Sequence, residues 1–399
     1  MENEKSLPDT EFDDAEVQAW FEEEEVDADA VDPEAGESVA DKYARSQLRV
    51  VRETKDYTLD YLQHALQTDR YIINVQPDYQ RRQRWSIRKR AQLIESFLMN
   101  IPVPPVFLFE RDYNEYEVVD GRQRLESIRD FLNNDFALSG LTYWSEFNRK
   151  RFNQLPLVIQ RGLLRRSLGA VVLLAETRSP HEDEFDVRTV LFDRLNTGGE
   201  KLNPQELRNA LYPGEFNRML LRIARDNLFT RVWGIPAYDA DDEQTEALKK
   251  NTLYRTMADC ELVLRFFAIR ETLLTNRRGS LRKLLDDCMR RHAHDTSSET
   301  NDLENQYLTC LRDLADVFDG HPFRLPKGKR PSRPLYDALM VSLSLRSVGD
   351  LLARKKEVQA NLSAALADRE QYDVLVGRGN TIDAIRNRVS IATTILTSN

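Results

Sequence analysis

The segment 116–132 constrains the fold of this chain most, because an apolar run, a two-residue turn and a helical pattern follow one another without a gap. The apolar run is typical of a strand that ends at Asp120-Gly121. A strand that leads directly into a helix presents backbone N–H groups at the helix start, and such groups bind anions. Arg122 and Arg124 lie in the same turn, and arginine binds phosphate through a planar fork of donors. The segment therefore predicts a phosphate-binding loop.

Two more strands and a helix are predicted upstream of this turn. Residues 71–75 and 105–109 are short apolar runs of the kind that form strands. Between them, residues 86–100 carry apolar side chains at helical spacing, and Ser86 is a suitable N-cap. The order strand, helix, strand, strand, helix predicts an α+β domain with basic residues at its loop ends.

Five sequence motifs occur in this region in a fixed order. They are P-D-Y-Q-R at 77–81, L-I-E-S-F-L at 93–98, I-P-V-P-P-V-F-L at 101–108, V-V-D-G-R-Q-R-L at 118–125 and L-F-D-R-L-N-T-G-G-E-K-L-N-P-Q-E-L-R-N-A at 191–210. Together they resemble the GmrSD-type restriction-endonuclease N-terminal domain, over roughly residues 44–215. That family is similar to the ParB/sulfiredoxin fold, in which a G-x-x-R turn holds nucleotide phosphates. The family's D-G-Q-Q-R motif stands here as D-G-R-Q-R, because Arg122 replaces Gln and adds charge to the loop.

The D-G-R-Q-R turn holds the main candidate site residues, and two interpretations stay open for several of them. The resemblance implies that Gly121, Arg122, Gln123 and Arg124 bind the phosphates of NTP with Mg²⁺, with Asp120 and Arg124 as the catalytic candidates. Arg124 could clamp a phosphate or pair at the surface with Asp120. Asp120 could hold Mg²⁺ or a water, or it could cap the helix that follows. Gly121 could let the backbone approach a ligand closely or simply form the turn.

A second candidate loop follows the 71–75 strand and contains Tyr79, Gln80 and Arg81. A tyrosine can stack on a base, and a glutamine can bind a base edge or a ribose. The alternative is that Tyr79 packs into the core beside Trp85. The resemblance implies that these three residues share a cavity with the D-G-R-Q-R turn.

A third candidate loop contains Asn196, Thr197 and Gly198 and follows a predicted helix. Loops of small polar residues present backbone N–H groups that bind anions. The same residues accept the left-handed backbone angles that end a helix, so a purely structural helix stop is the alternative. Asn203 and Pro204 then predict the cap and the first position of a new helix.

The charge of the chain is divided unevenly between its N-terminus and the rest. Residues 1–40 hold 16 acidic residues and one lysine, so the remainder carries +6 of a total of −9. A segment with this charge and few large apolar residues predicts a disordered acidic tail. The aromatic pair Trp20-Phe21 within it is either incidental, a docking peptide or a self-inhibitory plug over a basic groove. The mildly basic remainder is compatible with binding nucleic acid.

These patterns predict three regions: a disordered tail over 1–40, a ParB/sulfiredoxin-like domain over 41–215 and a mainly α-helical domain over 216–399. In the second region, 41–70 and 140–166 are predicted as helices and 168–175 as a buried strand. The third region has helical patterns and almost no strand-like alternation. Its predicted helices are 216–228, 252–274, 281–292, 302–318, 335–348, 350–366 and 381–397.

Several classes of protein are disfavoured by the residues present. Three scattered cysteines fit neither a disulfide framework nor a zinc ribbon, and they suit a reducing cytoplasm. No run approaches the roughly 18 apolar residues that span a membrane, and no P-loop motif is present. His292 and His294 are a weak metal signal because no Cys or Glu cluster joins them, so no metal site is predicted. The lack of histidine after His321 disfavours an HNH-type nuclease in the C-terminal half.

The leading hypothesis is a nucleotide- and DNA-responsive subunit of a prokaryotic, modification-dependent restriction-like defence system in the cytoplasm. It would bind NTP with Mg²⁺ at the D-G-R-Q-R turn as a candidate NTPase, and it would bind DNA, including modified DNA. A partner nuclease or a second copy of the chain would complete the system, with no membrane contact and no other cofactor. Two alternatives are a non-catalytic module that binds the DNA backbone and a ParB-like nuclease that cuts DNA directly.

Overall fold

The computed structural model describes residues 11–26, 51–67, 72–75, 85–174, 203–238, 245–326, 328–345, 351–377 and 379–397. Its contacts divide the chain into two units. One unit is Gly36–Leu202, and the other combines Met1–Ala35 with Asn203–Asn399. Helices and strands are numbered along the whole chain, and the first helix, α1 (Asp14–Val26), belongs to the second unit.

The first unit contains a mixed five-stranded sheet in the order β1-β5-β3-β4-β2. Its strands are β1 (Arg52–Thr58), β2 (Ile73–Asn74), β3 (Val106–Asp112), β4 (Glu115–Asp120) and β5 (Ser167–Leu173). β1 is antiparallel to β5 and β3 is antiparallel to β4, whereas β3 is parallel to β5 and β2 is parallel to β4. The strands predicted at 105–109, 116–119 and 168–175 are confirmed as β3, β4 and β5.

Among the described residues of this unit, four helices accompany the sheet: α2 (Leu59–Ala65), α3 (Ile87–Leu98), α4 (Arg122–Leu132) and α5 (Leu157–Leu164). The predicted cap of α3 is confirmed, since Ser86 Oγ accepts a hydrogen bond from the Lys89 N–H at 3.4 Å. α3 and α4 bury apolar side chains at helical spacing in one core with the sheet, among them Ala91, Ile94, Phe97, Leu125, Ile128 and Phe131. Burial of each large side chain stabilises the fold by about 1.5–3 kcal/mol. Packing of α4 against this core therefore holds the start of the helix in place beside the sheet.

The helix predicted over 41–70 is wrong for the part that the structure describes. β1 occupies Arg52–Thr58, and α2 begins only at Leu59, where Thr58 Oγ1 accepts a hydrogen bond from the Tyr61 N–H. β1 is an edge strand whose side chains are mostly exposed and polar, so its sequence shows no apolar alternation. Its pairing with the apolar β5 makes it a strand, and local sequence does not reveal that pairing.

The helix predicted over 140–166 is correct only at α5. Before α5 the chain forms two short 3₁₀ turns, Ser145–Phe147 and Phe152–Gln154. Just before the first turn, Oε1 of the buried Glu95 carboxylate accepts hydrogen bonds from three consecutive backbone N–H groups. These belong to Thr142, Tyr143 and Trp144, at 3.0, 2.7 and 3.0 Å. These three N–H groups therefore do not make the i→i−4 bonds of a helix.

The second unit is helical through most of its described residues. Besides α1 it contains α6 (Pro204–Leu211), α7 (Glu215–Ala224), α8 (Asn227–Trp233), α9 (Glu246–Lys250), α10 (Thr252–Arg255), α11 (Ala258–Thr275), α12 (Leu281–Arg291), α13 (Ser297–Val317), α14 (Arg333–Leu345), α15 (Lys355–Ala367), α16 (Arg369–Val376) and α17 (Ile382–Thr397). The predicted start of α6 is confirmed, since Asn203 Oδ1 accepts from the Glu206 N–H at 2.9 Å. α6 belongs to this unit, although the sequence predicts the domain boundary after residue 215.

Two predicted helices are each divided into two in this unit. The helix predicted over 252–274 is interrupted at Met257, whose φ of 59° is left-handed. The helix predicted over 216–228 ends early because Asp226 caps α8, accepting a hydrogen bond from the Leu228 N–H at 2.8 Å. Among the described residues of the chain, no helix combines the length and the apolar content needed to cross a membrane.

The disordered acidic tail predicted over 1–40 is wrong for α1, while residues 1–10 and 27–40 lie outside the described part of the chain. Phe12, Val17 and Phe21 are buried in the second unit. The carboxylates of this segment pair with arginines far along the chain: Asp14 with Arg255, Glu16 with Arg330, and Glu23 with Arg333. An acidic segment therefore becomes ordered through cations and an apolar surface that its own sequence does not contain.

Candidate functional site

The D-G-R-Q-R turn lies at the edge of the sheet where β4 ends. β2 is parallel to β4, so the chain also leaves β2 at this edge. β3 is antiparallel to β4 and begins at this edge, with Phe107 opposite Asp120. Two strand ends, one strand start and the first turn of α4 therefore meet at the candidate site.

Gly121 forms the turn with a left-handed φ of 93° and is the N-cap residue of α4. A β-carbon at this position would lie 2.9 Å from Val106 Cβ and 3.1 Å from Arg124 Nη2. Glycine is therefore required here because the backbone lies close to Val106 and Arg124 of the protein itself. Since glycine has no side chain, the cap residue leaves the first N–H groups of α4 without a side-chain acceptor of its own.

Arg124 holds the turn together through its guanidinium group. Its Nη2 donates to Asp120 Oδ2 at 2.7 Å, and its Nη1 donates to the carbonyl oxygens of Pro104 and Pro105 at 2.5 and 3.0 Å. The side chains of Arg124 and Asp120 are 12% and 16% exposed, so the pair is largely shielded from water. Of the two interpretations of Arg124, the structure contains the pairing with Asp120. Of the two alternatives for Asp120, the helix cap is wrong, because Gly121 occupies the cap and the carboxylate is paired with Arg124.

Arg122 is also paired with a carboxylate. Its Nε donates to Glu126 Oε1 at 2.7 Å, one turn further along α4. Two arginines and two carboxylates therefore balance each other around the turn. The positive field at the helix start is weaker than the sequence of the turn suggests, and backbone N–H groups supply more of it.

Gln123 connects the turn to the end of the second candidate loop. Its Oε1 accepts a hydrogen bond from the Trp85 N–H at 3.0 Å. The ammonium of Lys89 lies 4.7 Å from the centre of the Trp85 ring, within the range of a cation–π contact. The sequence did not indicate this use of Gln123 or the position of Lys89 and Trp85. The only local signal is the spacing of Trp85 and Lys89, four residues apart at the start of α3.

Six predicted site residues lie outside the described part of the chain: Tyr79, Gln80, Arg81, Asn196, Thr197 and Gly198. Residues on both sides of the second loop are described. Val75 follows β2 at the edge of the sheet that holds the turn, and Trp85 is hydrogen-bonded to Gln123. The described residue after this loop therefore contacts the D-G-R-Q-R turn, and the residue before it follows a strand that is paired with β4. The shared cavity implied by the resemblance stays a prediction.

His292, the weak metal signal of the sequence, has acidic and thiol neighbours that sequence reasoning missed. Its Nε2 lies 2.5 Å from Glu271 Oε1, and its Nδ1 lies 2.5 Å from Asp295 Oδ2. Potential ligand atoms of Glu271, Cys288 and His292 all lie within 4.8 Å of one another. The expectation that no Cys or Glu joins His292 is therefore wrong. Cys288 precedes His292 by four residues, a spacing that places both on one helix face.

Burial and hydrogen bonding shift the pKa values in this group of residues. Burial alone would raise the pKa of Glu271, but hydrogen bonds from His292 and Arg291 lower it below its usual value. Burial alone would lower the pKa of His292, but its bonds to Glu271 and Asp295 raise it above the usual value. Burial raises the pKa of the Cys288 thiol well above its usual range. The bonds to Glu271 and Asp295 therefore favour the protonated form of His292, and burial favours the neutral thiol of Cys288.

Comparison with known proteins finds a family match for the part of the chain that contains the D-G-R-Q-R turn. Residues 62–213 match the family model described as GmrSD restriction endonuclease, N-terminal domain. This match confirms the family that the five sequence motifs indicated. No curated protein matches the chain, and no solved structure matches it.

Proposed function

We propose that residues 62–213, which belong to the GmrSD restriction endonuclease N-terminal domain family, form the nucleotide-responsive part of a restriction-like defence protein that acts on DNA. The observation that carries the proposal is the passage of β4 through Gly121 directly into α4. Backbone N–H groups at such a helix start favour anions, and the helix dipole adds partial positive charge. The anion in this proposal is the phosphate chain of an NTP.

A ParB/sulfiredoxin-like phosphate turn is part of this proposal. Gly121 and Arg124 occupy the glycine and arginine positions of the G-x-x-R pattern. The tie between Gln123 and Trp85 supports a site formed by two loops, because it joins the end of the Tyr79–Arg81 loop to the turn. Lys89 at Trp85 adds a cation that is exposed to solvent.

Nucleotide binding at this turn would proceed by exchange of ion-pair partners. A phosphate oxygen would replace Asp120 at Arg124 Nη2, because phosphate carries more negative charge and also accepts from the backbone N–H groups. Arg122, which pairs with Glu126 on its own helix, would turn from that carboxylate towards the same phosphates. Asp120 would then be available to hold the Mg²⁺ that accompanies the nucleotide and offsets its charge. Both arginines would stabilise charge on the transferred phosphoryl group.

The test is NTP hydrolysis with Mg²⁺ across all four nucleotides, with and without DNA. Arg122→Ala removes a predicted phosphate contact, and Arg124→Lys keeps the charge but loses the planar fork. Arg161→Ala is the matched control, because Arg161 is an exposed arginine of α5 in the same unit. We expect turnover to fall at least tenfold in the first two variants and to stay unchanged in the control. Absence of both binding and turnover with every NTP would refute the nucleotide role.

A non-catalytic DNA-binding module is the second candidate. The N–H groups at the start of α4 and the arginines of the turn would then contact a DNA phosphate without chemistry. In that case affinity for DNA should fall steeply with salt. Arg122→Ala should weaken binding to all sequences alike. Direct cleavage by this domain would instead give Mg²⁺-dependent nicking that Asp120→Asn abolishes.

A further inference from the structure

Three residues of the second unit bring together the side-chain types that bind zinc. Glu271 lies on α11, Cys288 lies on α12, and His292 directly follows α12. Their potential ligand atoms lie within 4.8 Å of one another. Carboxylate oxygen, thiolate sulfur and imidazole nitrogen are the three donor types found in zinc sites. We call these three residues the Glu271 cluster.

The donor atoms of the Glu271 cluster are already oriented by outer partners. Asp295 Oδ2 accepts from His292 Nδ1 at 2.5 Å, which leaves Nε2 directed towards Glu271 Oε1. Arg291 donates to Glu271 Oε2, the other oxygen of that carboxylate. A metal-binding histidine commonly gives its second nitrogen to a carboxylate, and a metal-binding carboxylate is commonly hydrogen-bonded in turn. Glu271 Oε1 and His292 Nε2 are therefore held towards each other, and the Cys288 thiol belongs to the same group of ligand atoms.

Packing against a neighbouring aromatic ring also holds the His292 side chain in this orientation. The His292 ring stacks on Phe216 with ring centres 4.4 Å apart and planes inclined by 14°. Cys288 is fully buried, and the side chains of Glu271 and His292 are 22% and 18% exposed. A site with this burial keeps bulk water from competing with the ligands, while one side stays accessible to an entering ion.

We propose that the Glu271 cluster binds Zn²⁺ through Glu271 Oε1, Cys288 Sγ and His292 Nε2, with the fourth position open to water. Zn²⁺ binds a thiolate sulfur and an unprotonated ring nitrogen, so it would exchange with the protons that these atoms carry.

The distances allow this exchange after a small movement. Zinc bonds of about 2.0–2.3 Å in a tetrahedron separate neighbouring ligand atoms by about 3.4 Å. The Nε2 to Oε1 distance of 2.5 Å must therefore lengthen by about 1 Å. We expect a rotation of the Glu271 side chain to supply this movement. A thiolate ligand favours Zn²⁺ over Mg²⁺ and Ca²⁺, which prefer oxygen donors.

The experiment measures zinc in the full-length protein, purified without a metal-binding tag, stripped with chelator and titrated with Zn²⁺ against a chromophoric chelator. We expect a single zinc ion per chain in the wild type. Cys288→Ser and His292→Gln should lower the affinity at least a hundredfold, and Asp295→Asn should lower it ten- to a hundredfold. His294→Gln and Cys260→Ser, which alter a neighbouring histidine and another buried cysteine, should leave it unchanged.

Cobalt(II) substitution gives a second readout that needs only the wild type to be folded. Cobalt in the Glu271 cluster should show a thiolate-to-metal charge-transfer absorption and the intense visible bands of tetrahedral coordination. Absence of that absorption in wild-type protein saturated with cobalt would overturn the proposal. Zinc affinity that is unchanged in Cys288→Ser and in His292→Gln would overturn it as well, and the group would then be a metal-free hydrogen-bond network.

Discussion

The backbone of Gly121 lies directly against the side chain of Val106. A β-carbon at position 121 would stand 2.9 Å from Val106 Cβ and still closer to Val106 Cγ1. Gly121 also has a φ of 93°, which side-chain-bearing residues rarely adopt. Both constraints act where β3 starts, β4 ends and α4 begins. The turn can therefore adopt this conformation only with glycine at position 121.

We expect Gly121→Ala to lower the free energy of unfolding by about 2–5 kcal/mol. The left-handed backbone contributes about 1–2 kcal/mol of this, and the clash with Val106 contributes about 1–3 kcal/mol. Urea unfolding followed by circular dichroism measures the change. Gly140→Ala should cost less, because Gly140 has a φ of 71° but faces the flexible Arg88 side chain. Gly162→Ala, with no atom within 4 Å, should be neutral or stabilising. Equal losses in Gly121→Ala and Gly140→Ala would show that the Val106 contact is unimportant.

The hydrogen bond between Gln123 and Trp85 predicts that the Trp85 amide is protected from hydrogen exchange. Gln123→Ala removes the acceptor of the Trp85 N–H, so that amide should exchange faster with solvent. Gln123→Glu keeps an acceptor oxygen and should preserve most of the protection. Hydrogen–deuterium exchange with mass spectrometry on the peptide that contains Trp85 measures the difference. Unchanged exchange in Gln123→Ala would mean that the packing of Trp85, and not this bond, holds the end of the loop.

The sequence predicted those features whose causes lie within a few residues. Ser86 and Asn203 cap α3 and α6 as expected, since a cap bonds to an N–H three residues away. The turn at Gly121 was likewise predicted from its own neighbours. The failures share a different cause. Glu95 bonds to residues more than forty positions ahead, and Glu271 reaches His292 from another helix.

In the candidate site, too, the sequence predicted local features and missed contacts with distant residues. The presence of Asp120, Gly121 and the two arginines in one turn followed from the motif, and the structure brings them together. Their pairing did not follow, because Arg124 also bonds to the carbonyl oxygens of Pro104 and Pro105, which a sequence motif cannot place. The positive charge counted in a motif therefore overestimates the electrostatic field at the site when nearby carboxylates pair with its arginines.

Glu95 predicts a stability change that depends on charge. Its carboxylate accepts three backbone N–H groups, and such bonds to a charged acceptor contribute more than neutral ones. Glu95→Gln keeps the shape but loses the charge, and we expect a loss of about 1–3 kcal/mol in the free energy of unfolding. Glu95→Ala, which leaves three donors without an acceptor, should cost more. Thermal and urea unfolding measure both. Glu146→Gln, an exposed glutamate in the same region, should have little effect.

Tyr57 predicts a loss of stability at alkaline pH. Burial raises the pKa of its phenol to about 12, although nearby Lys55 opposes the shift. An unfolded tyrosine has a pKa of about 10, so the unfolded chain releases this proton first. The stabilising contribution is thus complete below pH 10 and declines as the pH rises from about 10 towards 12. Tyr57→Phe should show a shallower decline of unfolding free energy in this window. Tyr113→Phe is the control, because Tyr113 is 89% exposed; a slope change equal to that of Tyr57→Phe would refute the assignment.

Helix α1 predicts a masking effect on DNA binding by the second unit. Glu16 and Glu23 pair with Arg330 and Arg333, so these two arginines are neutralised by α1. A cavity of about 630 Å³ lies between α1 and the segment 328–334, so the contact is not closely packed along its whole length. The Arg330 side chain is 38% exposed whereas that of Arg333 is 5% exposed, so loss of the carboxylates should free the charge of Arg330 for DNA phosphates. We expect Glu16→Gln with Glu23→Gln to tighten DNA binding at low salt and to steepen its salt dependence by roughly one ion.

A matched pair of substitutions separates this effect from net charge. Asp319→Asn with Asp383→Asn also removes two carboxylates, both highly exposed and distant in sequence from α1. Fluorescence anisotropy of a labelled duplex over a range of salt concentrations measures both double variants. A larger gain in the α1 variant, reversed by Arg330→Ala, would establish that α1 covers a DNA-binding surface, because the same arginine then accounts for both contacts. Equal gains in the two double variants would mean that only the overall charge of the unit matters, and α1 would then be a fixed structural helix.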